Sequence, residues 1–132
     1  MTSDDIKLIP VDVLRHIEEF SEKRVKRLMK KIEADGIWIT PLCVEASSHA
    51  VMDGQHRMDV AKRLNLKHVP ALLLTYNDSG ISIRTGRLQD FNVTADDVIS
   101  RALSGNIYPY KTAKHTFPFK IPKCNIKLED LR

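Results

Sequence analysis

The sequence predicts an α+β domain in which short strands alternate with amphipathic helices. One observation is a continuous β-prone run, VPALLLTY, at residues 69–76. A second stretch repeats apolar side chains at the spacing of one helix face, and these are Val25, Leu28, Met29 and Ile32. With 132 residues, 42% apolar and 29% charged, the chain fits one domain with its own core, and the composition excludes disordered and fibrous classes.

The predicted elements begin with a strand and a long helix. Residues 6–9 form a short apolar strand that ends in a turn at Pro10. Ser21 is a suitable N-cap for a helix that runs to about Asp35, and Gly36 is its stop signal. Basic side chains occupy the rest of that helix surface.

The middle of the chain predicts a compact series of strands and one helix. Strands are expected at 41–45 and 50–52, joined by a polar turn at 47–48. A helix should follow from about 55 to 65, burying three apolar side chains, before the β-prone run at 69–76.

The last third predicts one more strand, one helix and a long loop. Residues 77–80, NDSG, form a turn into a strand at 81–83. Thr94 and Asp97 have the spacing of a capping box at the start of a helix. The segment at about 105–124 contains three prolines and is expected to be an ordered loop without regular structure.

Several protein classes are excluded by simple features. Cys43 and Cys124 lie 81 positions apart without a Cys-x-x-Cys pair, which argues against a thiolate zinc site and suits a reducing cytoplasm. The start of the chain shows no basic and apolar export signal, and no apolar run approaches the roughly 18 residues of a membrane helix. We therefore expect a cytoplasmic protein without a membrane segment.

Positive charge is concentrated near the C-terminus. Residues 98–128 contain six basic side chains and no acidic one, whereas residues 1–97 are nearly balanced. Such a segment attracts an anionic ligand. A solvated basic tail explains the same charge distribution.

The segment VMDGQHR at residues 51–57 is the sharpest functional signal. It predicts a strand that passes through an Asp53-Gly54 turn into a helix. The glycine permits a tight turn and close approach of a ligand, and the first helical amides of Gln55, His56 and Arg57 are unpaired donors. Arg57 can bind two phosphate oxygens at once, and the Asp53 carboxylate could hold a divalent metal through water. A phosphate-binding turn is the interpretation that we prefer over a plain strand–helix connection.

The run DGQHRMDVAKRLNLKHVPALLL, at residues 53–74, resembles the signature of the ParB/sulfiredoxin superfamily. Residues 8–20 and 41–45 are arranged as in that superfamily. The resemblance implies one ParB/sulfiredoxin-like domain over residues 1–132, with a small mixed sheet and about three helices. Sulfiredoxins need a cysteine in the turn, where this chain has Gln55. Chromosome-partitioning ParB proteins continue into a helix-turn-helix domain, and no such pattern is visible here.

Two further motifs are similar to those of the free serine kinases within this superfamily. These kinases have a catalytic glutamate before the first long helix, where this chain has HIEE at residues 16–19. They also have a VTxxDVIxxA helix and a PxKTxxHxF loop, matched here at 93–102 and 109–117. The resemblance implies phosphorylation of free L-serine to O-phospho-L-serine with ATP or ADP and magnesium. Ala113-Lys114 stands where a Thr-Arg pair is more usual, which puts the identity of the substrate in doubt.

The resemblance also assigns roles to residues. Glu18 would be the catalytic base, with Glu19 as the alternative that spacing does not separate from it. Asp53 would assist catalysis and hold magnesium, directly or through water. Nucleotide phosphates would contact Gly54, Gln55, His56 and Arg57. Substrate would be bound by side chains of the C-terminal loop, namely Lys111, Thr112, Lys114 and His115.

A hypothesis from another class is a ParB-like nucleotide-binding regulator or DNA-associated protein without turnover. It is supported by the basic side chains of the helix at 22–35. Acidic residues are mixed with them, which is typical of an ordinary solvated helix. We therefore expect no specific nucleic-acid partner, and the sequence does not predict an oligomeric state.

Overall fold

The computed structural model describes residues 1–86 and 93–132. The strands of this part of the chain are β1 (Ile6–Pro10), β2 (Ile37–Trp38), β3 (Leu42–Glu45), β4 (Val51–Asp53), β5 (His68–Leu74), β6 (Ser82–Thr85), β7 (Ala113–Thr116) and β8 (Ile126–Lys127). Its α-helices are α1 (Glu22–Asp35), α2 (Gln55–Arg63), the single-turn α3 (Tyr76–Ser79) and α4 (Ala95–Ser104). This arrangement confirms the predicted α+β class.

A four-stranded mixed sheet forms the centre, with the strand order β1-β5-β3-β4. β5 pairs antiparallel with β1 and parallel with β3, and β3 pairs antiparallel with β4. The parallel pair requires a crossover connection, which α2 provides between β4 and β5. This topology places the start of α2 directly at the end of the edge strand β4.

The sheet buries both faces, because consecutive side chains of a strand point to opposite sides. On one face, Val44 and Ala71 pack with buried side chains of α1 and α2 such as Val25 and Met58. On the other face, Cys43 and Leu72 belong to a second cluster that is covered by phenylalanines of the C-terminal segment. The helices α1 and α2 therefore cover one face of the sheet, and the C-terminal segment covers the other.

The predicted helix caps are confirmed. Ser21 accepts a hydrogen bond from the amide of Arg24 at 3.3 Å, and α1 ends at Gly36. Thr94 and Asp97 form the complete capping box of α4. The helix predicted to reach residue 65 ends earlier, at Arg63.

Three predictions for the second half of the chain differ from the structure. Residues 113–116, expected to be loop, form β7 and pair with β6 in an antiparallel ladder. The predicted strand at 69–76 ends at Leu74, and the expected turn at 77–80 is mostly the single helical turn of α3. The prolines near β7 made this segment look like a loop in the sequence. The alternation of its side chains is recognisable as a strand pattern only when it is seen beside its partner strand β6.

Within the described residues, no helix is both long enough and apolar enough to cross a membrane.

Candidate active site

The turn between β4 and α2 presents backbone donors to one end of the sheet. Gly54 is the N-cap of α2 with φ of 116°, and a Cβ there would collide with the side chain of Leu42. The first hydrogen bond of the helix runs from the amide of Met58 to the Gly54 carbonyl at 2.8 Å. Amides 55–57 precede it, and the cap residue has no side chain to accept from them. They are therefore available to an anion.

Asp53 and Arg57 lie on either side of this turn. The Asp53 side chain is 58% exposed, and its Oδ2 is 3.6 Å from Nη2 of Arg57, whose side chain is 21% exposed. The Nε of Arg57 is buried and has no hydrogen-bond acceptor within residues 1–86 and 93–132. Arg57 is therefore held in place but retains donors for a ligand.

The side chain of Gln55 is used inside the protein. Its Nε2 donates to the Val51 carbonyl at 2.6 Å, and its Oε1 accepts from the Ile17 amide at 3.3 Å. The same Oε1 lies 2.8 Å from Nδ1 of His16. Gln55 thus ties the segment before α1 to β4, and only its backbone amide is available for the predicted phosphate contact.

His56 is half-buried and neutral. Its Nε2 accepts a hydrogen bond from the Ser21 amide at 3.1 Å, so the ring proton is on Nδ1. Burial, together with the positive charge of Arg24, lowers the pKa of His56 below its ordinary value. The ring meets Phe20 and Tyr110 edge-on, with centroid distances of 6.2 and 5.9 Å.

Glu18 is a buried carboxylate that holds the C-terminal segment against the cleft. Its Oε2 accepts from the Lys111 amide at 2.9 Å, and its Oε1 accepts from the Ala113 amide at 3.1 Å. Burial raises the pKa of Glu18, although these backbone hydrogen bonds oppose the rise. Glu19 is exposed and does not line the cleft. The structure therefore places Glu18, rather than Glu19, in the candidate site.

The loop at 109–112 is shaped by its own hydrogen bonds. Lys111 has a positive φ of 60°. Thr112 is fully buried, and its hydroxyl donates to the Pro109 carbonyl at 2.7 Å. The Gly86 amide donates to the Thr112 carbonyl at 2.6 Å. Thr112 consequently does not line the cleft, so a direct substrate contact through its hydroxyl does not fit this arrangement.

Lys114 and His115 reach the cleft from β7, and they differ in charge. Lys114 is exposed to solvent. Burial lowers the pKa of His115 to about 4, so this imidazole is neutral at physiological pH. His115 therefore adds no positive charge, and Lys111 and Lys114 provide the cationic groups of this segment.

These elements enclose a cleft of about 660 Å³. It joins parts of the chain that are far apart in sequence. Its lining comprises Glu18, Arg24, Leu28, Met52, Asp53, Gly54, Gln55, His56, Arg57, Gly86, Tyr110, Lys111, Ala113, Lys114 and His115.

Six lining residues were not among the predicted site residues, and three of these, Arg24, Tyr110 and Gly86, make polar or close backbone contacts there. Arg24 is one of many basic side chains in α1, and only the fold shows that its Nη1 lies 3.4 Å from the Tyr110 hydroxyl. Tyr110 lies inside the PxKTxxHxF segment, which gave a local signal for it. A Cβ at Gly86 would lie 2.5 Å from the Lys111 carbonyl oxygen, a close approach that is invisible in sequence.

Comparison with known proteins identifies the family. The ParB N-terminal domain family matches residues 1–85, which include β1 to β6 and the turn at Gly54. The chain belongs to this family. The predicted membership in the wider ParB/sulfiredoxin superfamily is thereby confirmed.

Two curated proteins are similar in sequence to part of this chain. An ATP-dependent L-serine kinase of Staphylothermus marinus is 37% identical over 82 residues, which are 59% of this chain and 32% of the relative. An ATP-dependent L-serine kinase of Desulfurococcus mucosus is 26% identical over 103 residues, or 73% of this chain and 40% of the relative. This ParB-family chain thus spans well under half the length of these curated relatives.

A solved structure of a free serine kinase in complex with AMP has the same fold. It superimposes with a TM-score of 0.86 over 97% of this chain and 94% of that chain, at 15% sequence identity. At this identity the likeness concerns the fold alone.

Proposed function

We propose that this ParB-family protein is a kinase that transfers a phosphoryl group from ATP or ADP to the hydroxyl of free L-serine, forming O-phospho-L-serine. One observation supports it above the others: the phosphate-binding turn, the buried Glu18 and the cationic Lys111 and Lys114 line the same cleft. The names of the two relatives fit this activity, and they favour ATP as the first donor to test.

The turn at Gly54 is the proposed binding site of the nucleotide phosphates. The backbone amides of residues 55–57 and the guanidinium of Arg57 are hydrogen-bond donors at the start of α2, in the lining of the cleft. The N-terminus of a helix also favours negative charge. Phosphoryl transfer depends mainly on positioning and on neutralising charge on the transferred group. Arg57 can bind two phosphate oxygens, and its guanidinium lies beside the Asp53 carboxylate.

Glu18 is the proposed general base. As the serine oxygen bonds to the terminal phosphorus and the bond from phosphorus to the leaving nucleotide oxygen breaks, the hydroxyl proton passes to the Glu18 carboxylate. Each carboxylate oxygen has a second lone pair besides the one that accepts a backbone amide. Burial raises the pKa of Glu18, which strengthens it as a proton acceptor.

Lys111, Lys114 and His115 are the proposed contacts of the amino-acid substrate. Two of them are cations, which suits the carboxylate of serine and the phosphate of the product. His115 is neutral and contributes an uncharged ring to the cleft wall. Thr112 would contribute indirectly, because its hydroxyl fixes the loop that presents Lys111.

Asp53 is the proposed protein contact of magnesium. The described residues hold no group of three or more His, Cys, Asp or Glu side chains able to bind a metal. One exposed carboxylate beside a phosphate site nevertheless fits magnesium, which in such sites is held by one or two carboxylates, water and the nucleotide phosphates. When bound, the ion would neutralise charge on the phosphates.

The alternative of a nucleotide-binding regulator without turnover is not favoured. Its phosphate turn would be the same, and the comparisons point to kinases instead. A cytoplasmic location and the lack of a specific nucleic-acid partner stay predictions.

The test is incubation of the protein with magnesium, ATP or ADP, and a panel of free hydroxy-amino acids, with products identified by mass. We expect O-phosphoserine from the wild-type protein, little from Arg57→Ala, and undiminished product from the control Arg63→Ala, which changes an exposed side chain of the same helix outside the cleft. Nucleotide binding without any phosphorylated amino acid would contradict the proposal and favour the regulator.

A further inference from the structure

Tyr76 and His115 form a close pair behind the cleft. Tyr76 begins α3, directly after β5, and His115 lies in β7. The phenolic oxygen of Tyr76 is 2.8 Å from Nε2 of His115, and the two rings stack with centroids 5.7 Å apart. Phe117 stacks against the same imidazole at 6.3 Å. His115 lines the cleft, whereas Tyr76 does not.

Both members of the pair are uncharged at physiological pH. Burial is the main cause, because it lowers the pKa of His115 to about 4, and the carboxylate of Asp53 only partly opposes it. Burial also raises the pKa of Tyr76, so its phenol stays protonated. A neutral imidazole has one N–H and one acceptor nitrogen, so the pair can be joined in two ways.

The two arrangements differ in how many polar groups they leave without a partner. Nδ1 of His115 is buried and has no partner within residues 1–86 and 93–132. If Tyr76 donates to Nε2, the ring proton is on Nδ1 and one donor is left over. If Nε2 donates to the phenol, both the phenolic hydrogen and the Nδ1 lone pair are left over. Unpaired buried groups are costly, so the first arrangement is favoured.

We propose that Tyr76 is a positioning residue that donates its phenolic hydrogen to Nε2 of His115, keeps the imidazole proton on the buried Nδ1, and so fixes a neutral ring in one orientation at the wall of the cleft. That this wall faces a bound substrate rests on the proposed function, whereas the tautomer rests on the contact of the pair alone.

This arrangement explains why a neutral histidine is useful among cations. A ring fixed in one neutral tautomer presents the same uncharged surface to the cleft whether or not a charged ligand is bound. Tyr76 contributes by its hydroxyl, and Phe117 stacks on the same imidazole. Tyr76 acts through His115 and does not itself line the cleft.

The direct test is the ring ¹⁵N spectrum of the full chain at neutral pH, in which protonated and unprotonated imidazole nitrogens resonate far apart. We expect His115 to carry its proton on Nδ1 in the wild type. In Tyr76→Phe, which keeps the stacked ring, the population with the proton on Nε2 should rise. Tyr110→Phe removes another phenol near the cleft and should leave the His115 tautomer unchanged. A wild-type His115 protonated on Nε2, or a tautomer unaffected by Tyr76→Phe, would overturn the proposal.

A second arm uses O-phospho-L-serine as the probe. Its addition should shift the ring resonances of His115, which lines the cleft, and Tyr76→Phe should weaken its binding by about two- to tenfold, the effect of one neutral hydrogen bond. Unmoved ring resonances of His115 with bound phosphoserine would overturn the positioning role of Tyr76 toward the substrate site. The spectrum of the free protein is independent of catalysis, so failure of the kinase assay and failure of this proposal are distinguishable.

Discussion

Single carboxylate and guanidinium groups determine what the cleft can do. Glu18 holds two backbone amides of the C-terminal segment and also lies in the cleft, so structure and proposed chemistry depend on the same side chain. Sequence spacing did not separate Glu18 from Glu19. Burial separates them, because Glu18 is 9% exposed and Glu19 belongs to the exposed residues.

At this scale we expect Glu18→Gln to lower kcat by about 10²- to 10⁴-fold, the usual contribution of a general base. The amide nitrogen of Gln cannot accept a hydrogen bond, so one of the two backbone contacts is lost as well, at a cost of about 1–3 kcal/mol in the free energy of unfolding. Steady-state kinetics, calorimetric nucleotide affinity and urea denaturation measured together separate the two effects.

The matched control is Glu19→Gln, which should lower kcat by less than about tenfold because its carboxylate does not reach the cleft. A Glu18→Gln enzyme with almost unchanged kcat would show that the carboxylate only anchors the loop.

Arg57→Ala should weaken nucleotide binding by about 1.5–3 kcal/mol, the effect of losing charge-assisted hydrogen bonds. Isothermal titration calorimetry measures this directly. Arg63→Ala is the control on the same helix, since Arg63 pairs with Glu22 and Asp59 outside the cleft. Equal affinities of the two variants would exclude the turn as the phosphate site.

At the scale of elements, the site depends on how β4 joins α2. The connection is a single residue, Gly54, in a conformation that other residues rarely adopt. Leu42 of β3 packs where a Cβ would be. The edge of the sheet thus fixes both the position of the helix and the direction of its free amides.

Gly54→Ala should therefore destabilise the fold by more than Gly36→Ala, as measured by urea denaturation. Gly36 has a positive φ of 68° but nothing within 4 Å of an added Cβ. Its substitution should cost about 1 kcal/mol for the backbone conformation alone, whereas Gly54→Ala adds the collision with Leu42. Equal costs would mean that Leu42 moves aside freely.

On the scale of the whole molecule, local signals and long-range pairing differ in how well the sequence reveals them. The caps at Ser21 and Thr94 and the strands of the central sheet follow from residue patterns, and so does the turn from β4 into α2 at Gly54. β7 was missed because its stability comes from pairing with β6, far away in the chain. Arg24 was missed for the same reason, since only the packing of α1 brings it to the cleft.

The charge distribution over the molecule predicts weak and non-specific DNA binding at most. Basic side chains are divided between α1, where acidic residues are mixed with them, and the C-terminal segment. Titration of duplex DNA at physiological salt should show no sequence preference. A sequence-specific complex of about nanomolar affinity would instead indicate a DNA-associated regulator.

The most direct test of the central claim is ³¹P NMR of the protein with magnesium, ATP and L-serine, repeated with ADP. We predict that the terminal phosphate of the nucleotide disappears as O-phosphoserine appears in equal amount, and that Glu18→Gln and Arg57→Ala each suppress both signals. Release of inorganic phosphate without O-phosphoserine, or no consumption of either nucleotide, would contradict a free serine kinase.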